Sequence, residues 1–414
     1  MTLSEELTWR GFVNQTTYPD ISVLDKDPIT FYWGVDPSAK SMTVGNFALA
    51  MMVLHFVRHG HKPILLVGGA TGLIGDPDGK ATERDLKTAE ELQEYIEGIR
   101  NQYKSIFKDY DFELVDNYDW FKDIGYMEFL RNIGKHVPMS QMLGREFVKE
   151  RLGDGGAGIS YAEFSYSLIQ GYDFLHLSRE KGVTLQVAGS DQWGNSIAGV
   201  DLVRRIDNQE VHVYTAPLVI NKTTGKKFGK SEDGAVWLDP DMTSVYQFYQ
   251  FWLNVDDEGV EDYLKIYTLL SKEETERILS DFNSNRAGRL AQKTLAYEVT
   301  KIVHGQERAD SVKRISEVLF GGRSYNELTQ ADFEALGKEI GIIATKDGTE
   351  LAEILVQARL TKSKSEARRF ITSGAIYVNG IQVAADDLVL RADQSINGHY
   401  ILRRGKNSQI VLAL

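Results

Sequence analysis

The stretch FYWGVDPSAKSMTVGNFALAMMVLHFVRHGHKP, residues 31–63, starts as an apolar β-rich run. It passes through a loop carrying Asp36, Pro37, Ser38 and Gly45, and becomes a long apolar helix that Gly60 stops. A second β-rich run, KPILLVGG, begins at Lys62, and a third, VTLQVAGS, spans 183–190. A charged helical pattern lies between them near 88–107. Strands alternating with helices imply an α/β domain built on a parallel sheet, with ligands beyond the carboxyl ends of the strands. A strand that feeds a glycine loop at a helix N-terminus points to an anion site. This loop offers no lysine beyond Lys40 and no histidine, which leaves open what it holds.

From about 240 to 320 the pattern turns helical, ending at Gly321 and Gly322. A weakly patterned connector follows, and then two short helices, a Ser/Gly turn and a hairpin. The expected division is an α/β domain over 1–225, a helical domain over 226–322, a linker over 323–348 and a small α+β domain over 349–414.

The 414 residues are 42% hydrophobic, enough for several globular domains with sizeable cores. No run of about 18 apolar residues occurs, and the first residues are acidic where a signal peptide would be basic. A cytoplasmic protein without a membrane partner is expected. The absence of cysteine excludes disulfides, iron–sulfur clusters and cysteine zinc sites. The net charge of −12 argues against nucleic acid, but it is uneven. Residues 349–414 hold nine Lys and Arg against six Asp and Glu, a basic end on an acidic body.

Three motifs fail on inspection. GGATGLIGDPDG at 68–79 has glycines that do not fit G-x-G-x-x-G, which disfavours a nicotinamide enzyme. TGKKFGKS at 224–231 resembles a phosphate-binding P-loop, but Thr224 stands where its first glycine belongs. His55, His59 and His61 have a spacing open to zinc, yet two histidines on a helix face and one in a turn read more simply as structural. No metal site is expected.

Three polar constellations remain: YWGVDPSAKSMTVGN, FSYSLIQGYDF and LQVAGSDQWGN, the last followed downstream by KKFGKS. In the second, Tyr166, Gln170 and Asp173 stand at i, i+4 and i+7, on one helix face. A solvated face is the plain alternative, but Phe164, Leu168, Ile169 and Phe174 mark the segment as buried. Taken in order and spacing with LVGGATGLIGDP, these segments resemble the bacterial tyrosyl-tRNA synthetases, class I aminoacyl-tRNA synthetases, over essentially the whole chain. The C-terminal part resembles the S4-type RNA-binding module of that family.

The resemblance implies a Rossmann-like catalytic domain, an α-helical anticodon-binding domain and an S4-like domain. It implies activation of L-tyrosine with ATP and transfer to the 3′-terminal adenosine of tRNA(Tyr). The tyrosine carboxylate attacks the α-phosphate in line, so the site orients two anions and stabilises departing pyrophosphate. By resemblance Tyr32 and Asp173 meet the phenol, while Asp76, Tyr166 and Gln170 surround the ammonium group. Gln186 and Gln192 complete the tyrosine site. Gly34, Asp36, Ser38, Gly45, Asn46, Gly189 and Asp191 line the nucleotide, and Lys227, Lys230 and Ser231 hold its phosphates. The resemblance further implies Mg2+ with ATP, a homodimer meeting near 125–150, and RNA contacts from Arg359, Lys362, Lys364, Arg368 and Arg369.

The departure lies in the opening stretch. Where class I synthetases carry His-Ile-Gly-His, this chain reads Thr43-Val44-Gly45-Asn46. A threonine hydroxyl is shorter than an imidazole and never charged. Thr43 and Ser38 are expected to contact ATP phosphate weakly, so Thr43→His is expected to raise the activation rate. Two rival readings stand beside the main one: a synthetase-derived RNA-binding protein, and a tyrosine-adenylating enzyme with another acceptor.

Overall fold

The computed structural model describes residues 1–77, 87–231, 234–320, 322–383, 389–405 and 408–414, without the side chains of 146, 147, 230 and 231. The described chain divides into two compact units, residues 1–243 with 254–295, and residues 244–253 with 296–414.

The first unit is built on a six-stranded sheet. Its strands are β1 (Gln15–Thr16), β2 (Thr30–Val35), β3 (Lys62–Val67), β4 (Glu113–Asp116), β5 (Leu185–Gly189) and β6 (His212–Ala216), in the order β1-β6-β5-β2-β3-β4. All neighbours are parallel except β1, a short antiparallel edge on β6. From β2 the chain builds outward through β3 and β4, then returns to lay β5 on the other side of β2. The strand order therefore reverses between β2 and β5, where a parallel sheet opens a crevice for ligands.

Side chains alternate along β2 as a sheet buried on both faces requires. Tyr32 points to one layer, packing with Phe174, Leu177, Val203 and Val213. These come from α5 (Tyr161–Lys181), α6 (Trp193–Asp207) and β6. Phe31 and Trp33 meet the other layer through Phe56 of α2 (Val44–Arg58) and Tyr103 of α4 (Ala89–Ile106), with ring centroids 5.2 and 5.3 Å apart. The short helix α3 (Gly69–Ile74) follows β3. The glycines at its start serve close packing: a Cβ at Gly68 would lie 2.1 Å from Asp36 Oδ1, and one at Gly69 2.2 Å from Asp116 Oδ1. GGATG is thus a point of backbone approach to two carboxylates.

The helix α1 (Leu3–Arg10) docks on α2 through a partly buried polar cluster. Glu6 accepts from Arg10 at 2.9 Å and from His59 at 2.8 Å, and lies 3.1 Å from His55 Nδ1. His61 accepts from the Ile29 N–H through Nδ1 and donates to Leu24 O through Nε2, each at 3.0 Å. His59 and His61 thus make hydrogen bonds that tie local elements together, and His55 is buried beside Glu6.

In the second unit, five strands are ordered β11-β10-β12-β13-β9: β9 (Ile342–Ala344), β10 (Ile376–Val378), β11 (Ile381–Gln382), β12 (His399–Arg404) and β13 (Ser408–Ala413). Residues 323–348, expected as a linker, instead contain the helix Gln330–Ile340 and strand β9, which pairs in parallel with β13. Phe333 and Leu336 of this helix pack in one core with Ile315, Val318, Ile401 and Val411. Buried Asp332 accepts from Arg314 at 2.6 Å and from Ser311 at 2.5 Å. Only a few apolar residues at helical spacing carry this core, which is why the segment reads as weakly patterned. No helix among the described residues is long and apolar enough to cross a membrane.

Candidate active site

A cavity of about 610 Å³ opens at the carboxyl ends of β2 and β5. It is lined by Tyr32, Gly34, Asp36, Ser38, Thr43, Gly45 and Asn46 from β2 to the start of α2. Asp76 enters beyond α3, and Tyr166, Gln170 and Asp173 project from one face of α5. Gln186, Gly189, Asp191 and Gln192 come from β5 and the turn after it, and Lys227 from the KFGKS turn. The backbone of Lys230 and Ser231 forms β7, paired with β8 (Gly234–Ala235), but their side chains lie outside the described residues.

At the deep end Asp173 is buried and accepts from Asn117 Nδ2 at 3.1 Å and Trp120 Nε1 at 3.0 Å. Burial pushes its carboxyl well above the ordinary range, and those two donors oppose the rise. Among the described residues the buried Tyr32 hydroxyl has no hydrogen-bond partner. Burial, aided by Asp173, holds it neutral far above a phenol's usual range. Gln170 Oε1 is likewise a buried acceptor with no partner among the described residues. Unsatisfied polar groups of this kind are costly in a finished core and are expected where a polar ligand completes them.

Asp36 accepts from Tyr166 Oη at 2.7 Å and from Thr71 Oγ1 at 2.6 Å. Asn117 joins this network, donating to Thr71 and accepting from the Ala70 N–H at 2.6 Å. A further chain starts at Asp76, which accepts from Gln192 at 2.6 Å. Gln192 accepts from Asn195 at 3.1 Å, and Asn195 accepts from Arg145 at 2.6 Å. The sequence reading missed Thr71, Asn117, Trp120, Asn195 and Arg145. Asn117 and Trp120 follow β4, whose apolar core of Leu114 and Val115 is too short to read as a strand. The carboxyl-end rule would otherwise have pointed to DNYDW.

The outer end is different. Lys227 Nζ lies 3.7 Å from Asp191 Oδ2, with both side chains exposed, an attraction of about 0–1 kcal/mol. Thr43 is the N-cap of α2: its hydroxyl donates to Asn46 Oδ1 at 2.9 Å and accepts from the Asn46 N–H. Asn46 in turn accepts from the Thr43 N–H at 3.0 Å, completing a capping box. Threonine and asparagine at these two positions thus satisfy each other and the helix start, a pairing the sequence reading did not recognise.

In the C-terminal module, Lys364 pairs with Glu353 at 2.9 Å, Arg368 with Glu350 at 2.9 Å and Arg369 with Glu366 at 4.0 Å. Among the described residues Arg359 and Lys362 have no such acidic partner. Arg403 lies 3.9 Å above the Tyr377 ring, and Lys406 is outside the described residues.

Residues 24–321 match the model of class I tRNA synthetases (W and Y), and residues 332–412 match the C-terminal domain of the tyrosine–tRNA ligases. The chain belongs to the class I tyrosyl-tRNA synthetase family. It is 44% identical to the tyrosine–tRNA ligase of Salmonella arizonae over 99% of this chain and 97% of that protein. The match to the Escherichia coli K12 tyrosine–tRNA ligase is also 44%, over 99% and 98%. Among solved structures, a C-terminally truncated mitochondrial tyrosyl-tRNA synthetase of Aspergillus nidulans aligns with a TM-score of 0.70 and 30% identity, over 77% of this chain and 94% of that one. The second matched segment includes most of the helix Gln330–Ile340, in keeping with its place in the core of the second unit.

Proposed function

We infer that the chain is a tyrosine–tRNA ligase that activates L-tyrosine with ATP and transfers the tyrosyl group to tRNA(Tyr). The observation that carries this is the deep end of the cavity, lined by Tyr32, whose buried hydroxyl has no hydrogen-bond partner among the described residues, and by buried Asp173. A substrate phenol can donate to the Asp173 carboxylate and accept from Tyr32. Phenylalanine would leave the buried Tyr32 hydroxyl unmatched and give Asp173 no phenolic donor, an effect for which tyrosyl-tRNA synthetases are themselves the standard illustration.

The bonded Asp76–Gln192 pair, with Tyr166 and Gln170, takes the α-amino end. Gly34, Asp36, Ser38, Gly45, Asn46, Gly189 and Asp191 receive the nucleotide, and Mg2+ enters on its phosphates. Lys227, with Lys230 and Ser231, stabilises the departing pyrophosphate. Thr43 acts chiefly through the α2 N-terminus, whose amide dipoles favour the phosphates.

A homodimer is supported by exposed apolar side chains clustered in sequence: Tyr126, Met127, Met139, Leu143, Leu152 and Tyr161. The helices of the 226–322 segment are proposed to read the anticodon. The 349–414 module is proposed to touch RNA phosphates, with Arg359 and Lys362 leading because Lys364, Arg368 and Arg369 already have acidic neighbours. The cytoplasm, where tRNA, tyrosine and ATP meet, is the proposed location.

The test is ATP–pyrophosphate exchange with each amino acid in turn, then charging of tRNA(Tyr). Tyrosine alone is expected to stimulate exchange strongly, and charging should follow. Exchange without charging would favour another acceptor; no tyrosine-stimulated exchange would remove the reading.

A further inference from the structure

Lys227 is exposed, so its ammonium can serve a transition state only if the turn that carries it is held in place. Residues 219–229 form that turn, closed by Phe228 N–H donating to Val219 O at 2.9 Å. It is held by the helix α7 (Val260–Tyr267) and the residues just before it. The Phe228 ring stacks on Tyr263 with centroids 4.2 Å apart and planes 26° from parallel. Lys222 Nζ lies 2.5 Å from Asp262 Oδ2, and Thr223 Oγ1 donates to Asp256 Oδ2 at 2.7 Å. The latter two contacts are exposed and contribute little. The ring stack is buried and supplies most of the hold.

Tyr263 sits on a fixed base. Tyr267 of the same helix stacks on Phe47 of α2 at 6.0 Å. Buried Arg10 donates to Lys265 O at 2.7 Å and to Thr268 O at 3.0 Å, closing the C-terminal end of α7. On the far side of the turn, Gly229 has φ +93°, and a Cβ there would meet Val44 at 2.3 Å. The turn is therefore clamped between α7 and the start of α2.

We propose that Tyr263 is a positioning residue for tyrosine activation, fixing through Phe228 where Lys227 stands over the pocket. This rests on the reading of Lys227 as a phosphate-binding group. Tyr263 touches no substrate, and its effect should fall on rate rather than on tyrosine binding.

The test compares kcat for tyrosine-dependent ATP–pyrophosphate exchange with tyrosine Kd measured by equilibrium dialysis without ATP. Tyr263→Leu removes the stack but keeps an apolar filler. Gly259→Ala leaves the stack chemically intact but drives a methyl to 2.5 Å from the Tyr263 ring. Both should lower kcat, Tyr263→Leu by about 10-fold or more, while Kd stays within about twofold. Tyr263→Phe should keep wild-type kcat, because the stack survives. Full kcat in Tyr263→Leu, or kcat and Kd failing together, would overturn the proposal. Lys227→Ala separates the two readings: normal exchange there means the role of Lys227 is wrong, whereas slow exchange there with full exchange in Tyr263→Leu removes only Tyr263.

Discussion

The two ends of the cavity are built on opposite principles. At the deep end every carboxylate has its partners before any ligand arrives: Asp173 holds Asn117 and Trp120, Asp36 holds Tyr166 and Thr71, and Asp76 holds Gln192. At the outer end Lys227 stands exposed, 3.7 Å from one exposed carboxylate, on a turn held by a ring stack. The difference teaches where selectivity and rate reside. Recognition of the amino acid is written into the sheet and α5, where side chains cannot move without stranding buried polar groups. The charge needed during the reaction is carried by an exposed side chain whose placement depends on the packing beneath its turn.

The largest expected effect comes from breaking the deep end. Asp173→Ala removes the phenol acceptor and strands Asn117 and Trp120, and tyrosine-dependent exchange should fall by about 10²-fold or more in kcat/KM. A loss below about tenfold would mean that the phenol is read elsewhere. Arg145→Ala should act more gently. It leaves Asn195 and Gln192 free to turn away from Asp76, so KM for tyrosine should rise about tenfold with kcat nearly constant. A fall in kcat alone would detach Arg145 from the tyrosine pocket.

Smaller effects are expected at the start of α2. Thr43→Ala should cost about 1 kcal/mol of stability, with Thr43→Ser close to wild type, as an N-cap requires. Thr43→His, which the motif alone would favour, should lose the same cap and bring no gain in exchange rate; a clear gain would show that a phosphate contact outweighs it. Acid should weaken the α1–α2 dock beneath. Burial lowers His55 from 6.5 to about 4, so the fold holds it neutral. Its contribution is complete above pH 6.5 and is lost as pH falls toward 4. Glu6, held ionised by its histidine and arginine partners against the cost of burial, is also lost only on acidification. The Tm should therefore drop across that window, and less so in His55→Gln.

Much of this architecture is legible in the sequence because it rests on strong periodic signals. The run at 31–63 contains all but the first residue of β2, the ligand loop and all of α2, and Tyr166, Gln170 and Asp173 reach one cavity because helical spacing puts them on one face. The residues that hold the site are harder to see. Asn117 and Trp120 follow a four-residue strand. Arg145 reaches the site through Asn195, 50 residues away in sequence. The capping role of Thr43 is encoded locally, as a threonine three residues before an asparagine, but the synthetase motif draws attention away from it. The helix at 330–340 reads as linker because its apolar residues find their partners far away, in β12 and β13.

The division between the two ends is tested most directly by Lys227→Ala, with tyrosine binding measured without ATP and exchange measured at saturating tyrosine. Tyrosine Kd should stay at the wild-type value while kcat falls by about 10²-fold. A variant that binds tyrosine poorly, or that exchanges at the wild-type rate, would contradict it.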